Sequence, residues 1–334
     1  MTFEFSPQLF GFAIGSWRRK KVERRELAGL LTARNDWLEE RILRIVDMKR
    51  KYYVLFDGLD IAYTALDEDY KQRLIGLLLA ARSVRTWASE NKIAMSPIVF
   101  LRSDIYDELV FADQNKMSED NVRLLMWDDT PGGENSLKAL LDQRIRVLTK
   151  EEGHEDPWSL VFDEATMRGT QQKFRYMVER TYLRPRDMIK FANLCLDNAK
   201  VAHHERITND DIYEAKEEYS DYVFGELNNE ISAADAEWAK TLEVLREIRR
   251  MTFDRQRFDE AFEKRQSELG ARSPDDVLRL LFRFGVIGFQ KKGGGGRGGS
   301  EIAWQYRDPK QRYDSGARYF RVHWSLKEYL DLVE

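Results

Sequence analysis

The sequence predicts an α/β protein: a parallel-sheet core, then an all-helical stretch, then a module of three helices and a hairpin. Three observations predict it. Two short apolar runs, YYVLFD at 52–57 and PIVFLR at 97–102, are rich in β-formers, show no polar alternation and are separated by a long helical repeat. From about 156 to 232 apolar residues recur at helical steps with no strand pattern. From 236 onward three helical segments precede two β-rich runs that flank the glycine-rich stretch GGGGRGG at 293–299.

Residues 17–50 place Leu27, Leu30, Leu31, Trp37, Leu38, Ile42 and Ile45 at three- and four-residue steps among charges, which predicts a helix. The run at 52–57 predicts a strand buried on both faces. It ends in Asp57, Gly58, Leu59 and Asp60. A helix is expected over 67–91, with Leu74, Leu77, Leu78, Ala81 and Val84 on its apolar face, and a second buried strand over 97–102. An amphipathic piece at 105–111, a strand candidate at 122–127, a PGG turn at 131–133 and a helix over 136–148 complete a core domain of residues 1–150. Strand, helix, strand, helix is the pattern of a parallel sheet with crossover helices, whose functional groups stand just past the strand carboxyl ends. Asp57, Asp60 and Arg102 fall there. Residues 151–235 form the helical segment, with the run TNDD at 208–211 as a strong helix start. In the last segment, 236–334, helices are expected over 236–250, 255–267 and 274–284. Strands follow at 286–290 and 302–306, then a strand at 319–323 and a helix at 326–332. Three helices and a hairpin with a flexible tip are the plan of a winged helix.

Composition narrows the function. The chain has 334 residues, 54 basic and 58 acidic side chains, and a net charge of −4, which excludes a chain-wide basic surface. The charge is uneven: residues 236–334 carry 20 basic and 16 acidic side chains, so any electrostatic case for nucleic acid starts there. The single cysteine, Cys195, sits in an apolar run and reads as a core thiol; it excludes an intrachain disulfide framework. The four histidines show no metal-ligand spacing. No run approaches 18 uncharged apolar residues, and the RRKK at 18–21 follows the apolar N-terminus where a secretory signal places its charge first. The cytoplasm is the expected location, with no membrane partner.

An apolar strand ending in Asp57, with a second acid at Asp60, is the layout that lets one carboxylate hold a Mg²⁺-bound water and the other orient the water attacking a γ-phosphate. The same Asp also caps and solubilises ordinary strands. Arg102 at the tip of the second strand would stabilise phosphate charge, or pair with Asp57 or Asp60. In the run LRPRDMI at 183–189, Pro185 suits a first helical turn, but Arg184 and Arg186 oppose the helix dipole there. Something anionic nearby would offset them: Asp187, or a nucleotide phosphate.

These stretches in succession, VLFDGLD at 54–60, IVFLRSD at 98–104, Trp127 with the helix at 137–145, LRPRDMI at 183–189, then Tyr219 and Ser220, resemble the STAND/AAA-like P-loop ATPases of prokaryotes. The resemblance covers about residues 50–334. It implies a P-loop-NTPase-like core with a Walker B strand and a sensor-1 strand, a helical lid and a C-terminal winged helix. It implies ATP and Mg²⁺ as cofactors, Asp57 as the Mg²⁺ ligand, Asp60 as the catalytic acid and Arg102 as sensor 1. Arg184, Pro185 and Arg186 would lie near the nucleotide. It also implies nucleotide-switch signalling or phage-defence roles and allows self-association. Many relatives carry Glu directly after the second Asp; this chain has Ile61.

A P-loop needs glycine amides, a Lys for the phosphates and a Ser or Thr for Mg²⁺. No Gly-Lys dipeptide occurs in this sequence; GFAIGS at 11–16 lacks the Lys, and Lys291 and Lys292 precede rather than follow their glycines. The core is therefore expected to be incomplete: the C-terminal part of an ATPase, weak or inactive alone. The winged helix has two readings. As a DNA reader it would use a helix at about 274–284 with Arg279 and Arg283, and a wing with Lys291, Lys292 and Arg297. As a regulatory module it would pack on the lid and report nucleotide state. A non-catalytic DNA-binding or scaffold protein is the alternative to an ATPase.

Overall fold

The computed structural model describes residues 24–61, 63, 67–112, 114, 121–130, 133, 136–151, 153–232, 235–291 and 301–334. The GFAIGS and RRKK runs near the N-terminus, the first two residues of the PGG turn, and the wing tip with Lys292 and Arg297 lie outside the described residues. The described chain is a mixed helix–sheet protein made of two compact units.

The first unit comprises the described residues up to Leu59 together with Gln72–Leu101. It holds α1 (Arg24–Ile45), β1 (Lys51–Phe56), most of α2 (Glu68–Glu90) and β2 (Ala94–Val99). The strands pair in parallel, Val54 opposite Pro97 and Phe56 opposite Val99, so the crossover that the sequence predicts is present. β2 begins three residues earlier than the apolar run at 97–102 suggests. Pro97 lies inside it, where a sheet edge tolerates the missing N–H. β1 departs from expectation more strongly. Tyr53, Val54 and Leu55 are 62%, 41% and 59% exposed, where burial on both faces was expected. Two strands and two helices supply too little surface to cover both faces of β1. Trp37, Leu38, Leu79 and Val84 are exposed in the same unit.

The second unit comprises Asp60–Lys71 and Arg102–Glu334. It holds α3 (Ser103–Glu108), α4 (Leu137–Thr149), the short α5 (Trp158–Val161) and α6 (Lys173–Val178), and the paired long helices α7 (Pro185–Val201) and α8 (Asn209–Ile231). Then come α9 (Ala239–Ile248), β3 (Thr252–Asp254), α10 (Arg255–Leu269), α11 (Pro274–Arg283), β4 (Ile287–Gln290), β5 (Ile302–Ala303) and β6 (Tyr319–Val322). The strands form one antiparallel sheet in the order β3-β6-β4-β5. Helix starts follow their caps: Ser136 accepts from Lys138 at α4, and Thr208–Asp211 and Ser273–Asp276 close capping boxes at α8 and α11. One continuous buried cluster runs from Leu137 to Leu332, so residues 151–235 and 236–334 share a core. Cys195 is buried in it, and burial pushes its thiol up.

Three further expectations change. Residues 122–127 are extended but join no ladder; only Asp128 bridges Ser136. A strand is defined by a neighbour, and among the described residues this run has none. The helix expected at 326–332 is a 3₁₀ turn, Trp324–Leu326, followed by turns, with Asp331 at a φ of +52°. Strand β5 is two residues long rather than five.

Candidate functional site

Asp57 stands directly after β1 in the first unit, exposed, with Oδ1 accepting the Gly58 N–H at 2.8 Å. Gly58 has a φ of +69°, which glycine adopts without strain.

Asp60, Arg102, Arg184 and Arg186 belong to the second unit, and three of the four meet. Arg102 precedes α3 and grips Asp104 with two hydrogen bonds, Nε–Oδ1 at 3.0 Å and Nη2–Oδ2 at 2.7 Å. Its Nη2 also reaches Glu230 Oε1 at 3.0 Å, and its Nη1 stands 3.9 Å from Asp60 Oδ2. Arg184 takes the N-cap position of α7 in extended conformation; its Nη2 donates to the same Glu230 Oε1 at 3.2 Å and lies 3.0 Å from Oε2. Glu230 therefore lies between two guanidiniums that are 82 residues apart in sequence, 102 and 184. The Glu230 side chain is 14% exposed, whereas those of Arg102 and Arg184 are 37% and 43% exposed. Partial burial disfavours the charge on each arginine. The Asp104 hydrogen bond and Glu230 for Arg102, and Glu230 and Asp187 for Arg184, outweigh it and hold both above the ordinary value.

The unfavourable start of α7 is explained by the helix beside it. Glu226 and Glu230 lie one turn apart near the end of α8 and pair with Arg186 (2.8 Å) and Arg184 (3.0 Å). Pro185 takes the first helical position. Asp187 turns inward and accepts the Tyr182 N–H at 3.1 Å; burial pushes its carboxyl up although Arg184 pulls it down.

Arg184, Pro185 and Glu230 line a cleft of about 470 Å³ whose walls include Trp127, Phe284 and Tyr306. It therefore joins aromatic faces to a cation, the kind of lining that takes a planar, charged ligand. A second carboxylate at its rim, Glu108, accepts from the Tyr63 hydroxyl at 2.5 Å, pairs with Arg283 and lies 3.7 Å from Lys71. Burial works against its charge, but the Tyr63 and Arg283 hydrogen bonds prevail and keep it below the usual carboxylate range. Tyr182 enters the core beside the cleft: its hydroxyl donates to Gly285 O at 3.3 Å and its ring stacks on His323 with centroids 4.2 Å apart.

Sequence reasoning passed over Glu230, Glu108 and the aromatic walls. The i, i+4 spacing of Glu226 and Glu230 against the i, i+2 spacing of Arg184 and Arg186 is the one signal that points to the pairing. Among the described residues no group of three or more His, Cys, Asp or Glu could hold a metal ion, and no helix is long and apolar enough to cross a membrane.

No curated protein and no solved structure matches the chain. Residues 135–228, from the start of α4 to near the end of α8, match the family described as the FunZ-associated C-terminal helical domain.

Proposed function

We propose that this chain carries the Walker B, sensor and winged-helix part of a nucleotide-switch ATPase of the STAND/AAA-like kind, and that it needs a P-loop from elsewhere to turn over ATP. The observation that carries the reading is that Arg102 and Arg184 share Glu230 at the start of α7, with Asp60 standing 3.9 Å from Arg102. Two stretches chosen from the sequence for phosphate chemistry, at 98–104 and 183–189, contribute residues to one aromatic cleft. The exposed apolar side chains of β1 also suit a sheet that is completed by further strands.

In this reading Arg102 and Arg184 neutralise the phosphate tail, and Asp60 orients the attacking water. Asp57, exposed in the first unit and with one oxygen engaged by Gly58, would be the Mg²⁺ ligand that the resemblance implies. Bound Mg²⁺ would neutralise charge on the transferring group. The three helices α9–α11 and their antiparallel sheet serve as the winged helix in a regulatory role. Arg279 pairs with Asp275 at 3.1 Å, Arg283 with Glu108 and Lys291 with Glu301 at 3.1 Å, so side chains a DNA reader would present are engaged within the chain.

The test is calorimetric titration of the chain with ATP and ADP. Weak binding, lost in both Arg102→Ala and Arg184→Ala, is expected. Binding indifferent to both substitutions, or salt-sensitive binding to duplex DNA without any to nucleotide, would overturn the reading in favour of a DNA-binding protein.

A further inference from the structure

We infer that Glu230 is a built-in competitor for phosphate: it occupies the position between Arg102 and Arg184 that a polyphosphate oxyanion takes, and the site opens to an anion only when this carboxylate lets go. The inference rests on the nucleotide reading above and adds to it what keeps the site closed.

The geometry supports it at three points. One carboxylate satisfies two guanidiniums, at 3.0 Å each, in the way a phosphate group would bridge them. The carboxylate is the most sheltered member of the trio, while both arginines stay open enough to water to be reached by a ligand. And neither arginine is stranded if Glu230 leaves: Arg102 retains its two bonds to Asp104, and Arg184 lies beside Asp187 in the first turn of α7 with its side chain 43% exposed. Loss of Glu230 therefore does not scatter the cations. Glu230 belongs to the last turn of α8 and reaches the site by its side chain.

A ligand that must displace a resident group binds more weakly by the fraction of time the site is free. If Glu230 holds the pair about nine-tenths of the time, its removal tightens anion binding about tenfold. Glu230 touches no reacting atom in this scheme; it is a positioning residue that sets affinity.

The experiment compares wild type, Glu230→Gln and Glu230→Asp by calorimetric titration with inorganic tripolyphosphate in the absence of Mg²⁺, and then with ATP. Glu230→Gln keeps the shape of the side chain and removes its charge. Glu230→Asp keeps the charge but is one methylene too short to hold both arginines. Both are expected to bind tripolyphosphate about tenfold more tightly than wild type, and the gain should vanish on adding Arg184→Ala. A carboxylate with a purely structural role would leave affinity unchanged or lower it. If wild type binds through Arg102 and Arg184 but neither Glu230 variant binds more tightly, the competitor inference is wrong and the nucleotide reading stands. If no variant, Glu230→Gln included, binds either anion in a manner that depends on Arg184, the nucleotide reading itself falls. A gain with tripolyphosphate but not with ATP would assign the site to free polyphosphate. Should Glu230→Gln fail to fold, Glu230→Asp decides the matter alone.

Discussion

Arg102 is the residue at which a structural role and a ligand-binding role diverge most in cost, and its removal can be worked through in advance. In Arg102→Ala, Asp104 and Asp60 lose a cation, but their side chains are 30% and 43% exposed and return to water. Glu230, at 14% exposure, keeps Arg184 at 3.0 Å. No buried carboxylate is stranded, so the loss is that of partly exposed ion pairs, about 1 kcal/mol in all. Arg184→Ala costs a similar amount, about 1 kcal/mol, because Arg102 then holds Glu230. The double variant differs in kind. Glu230 then faces a largely sheltered site with no cation, a situation that costs about 3–5 kcal/mol for a fully buried charge. Discounted for its residual exposure, the double variant should lose about 3 kcal/mol, roughly 1 kcal/mol beyond additivity. A urea-unfolding cycle on the four proteins, followed by far-ultraviolet circular dichroism, measures this. A loss of about 3 kcal/mol or more from Arg102→Ala alone would make that arginine a structural fixture. Additivity within about 0.3 kcal/mol would show that the two arginines do not share Glu230.

Three other outcomes are expected. Burial, reinforced by Arg307 and Arg180, lowers His323 to about 3, so the folded chain keeps it neutral while an unfolded histidine charges near 6.5. Below that value the unfolded state binds the extra proton, so stability falls with falling pH by up to about 1.4 kcal/mol per unit until roughly pH 3. Between pH 6.5 and 5, before most carboxylates titrate, wild type should lose stability more steeply than His323→Gln, and parallel slopes would refute this. Gly285 has a φ of +70°, and an added Cβ would stand 2.9 Å from Tyr182 Cε1, so Gly285→Ala should cost about 2 kcal/mol in thermal unfolding; a neutral result would mean that Tyr182 yields easily. The purified chain should hydrolyse ATP negligibly, and activity gained from an added P-loop segment should disappear in Asp57→Ala and in Asp60→Asn; substantial hydrolysis without that segment, abolished by Asp57→Ala, would refute the need for an external P-loop.

What the sequence made legible are groups whose place in an element is itself the signal. Asp60 and Arg102 follow apolar runs that become β1 and β2, and Pro185 marks the start of α7. Glu230 was hidden because α8 carries eight carboxylates, and apart from its i, i+4 spacing from Glu226 nothing local marks it as the one that meets two arginines. Burial was harder to read than periodicity. The β1 run has the composition of a covered strand, yet cover is a property of neighbours, and those in its own unit leave Tyr53 and Leu55 more than half exposed. The 122–127 run fails as a strand for the same reason, since β-propensity records fitness for a ladder and not the presence of one. β3, three residues long, gives no periodic signal at all.

The placement of Tyr182 shows how an event at Arg184 would be felt in the C-terminal module. Only Leu183 separates them, and it holds a φ of +53°, a conformation that a leucine adopts only under the constraint of its surroundings. Tyr182 is buried: its ring lies on His323, its hydroxyl is bonded to Gly285 at the turn between α11 and β4, and its N–H is held by Asp187 in the first turn of α7. A backbone shift at Arg184 would pull on a side chain packed against both the α11–β4 turn and the end of β6. Close-packed contacts of this kind transmit displacement rather than absorb it. An exchange of Glu230 for phosphate would therefore load the junction between α7 and the antiparallel sheet, and Arg283, at the end of α11, would carry the change to Glu108. Under the proposed reading, the module would need no contact of its own with the nucleotide to respond to it.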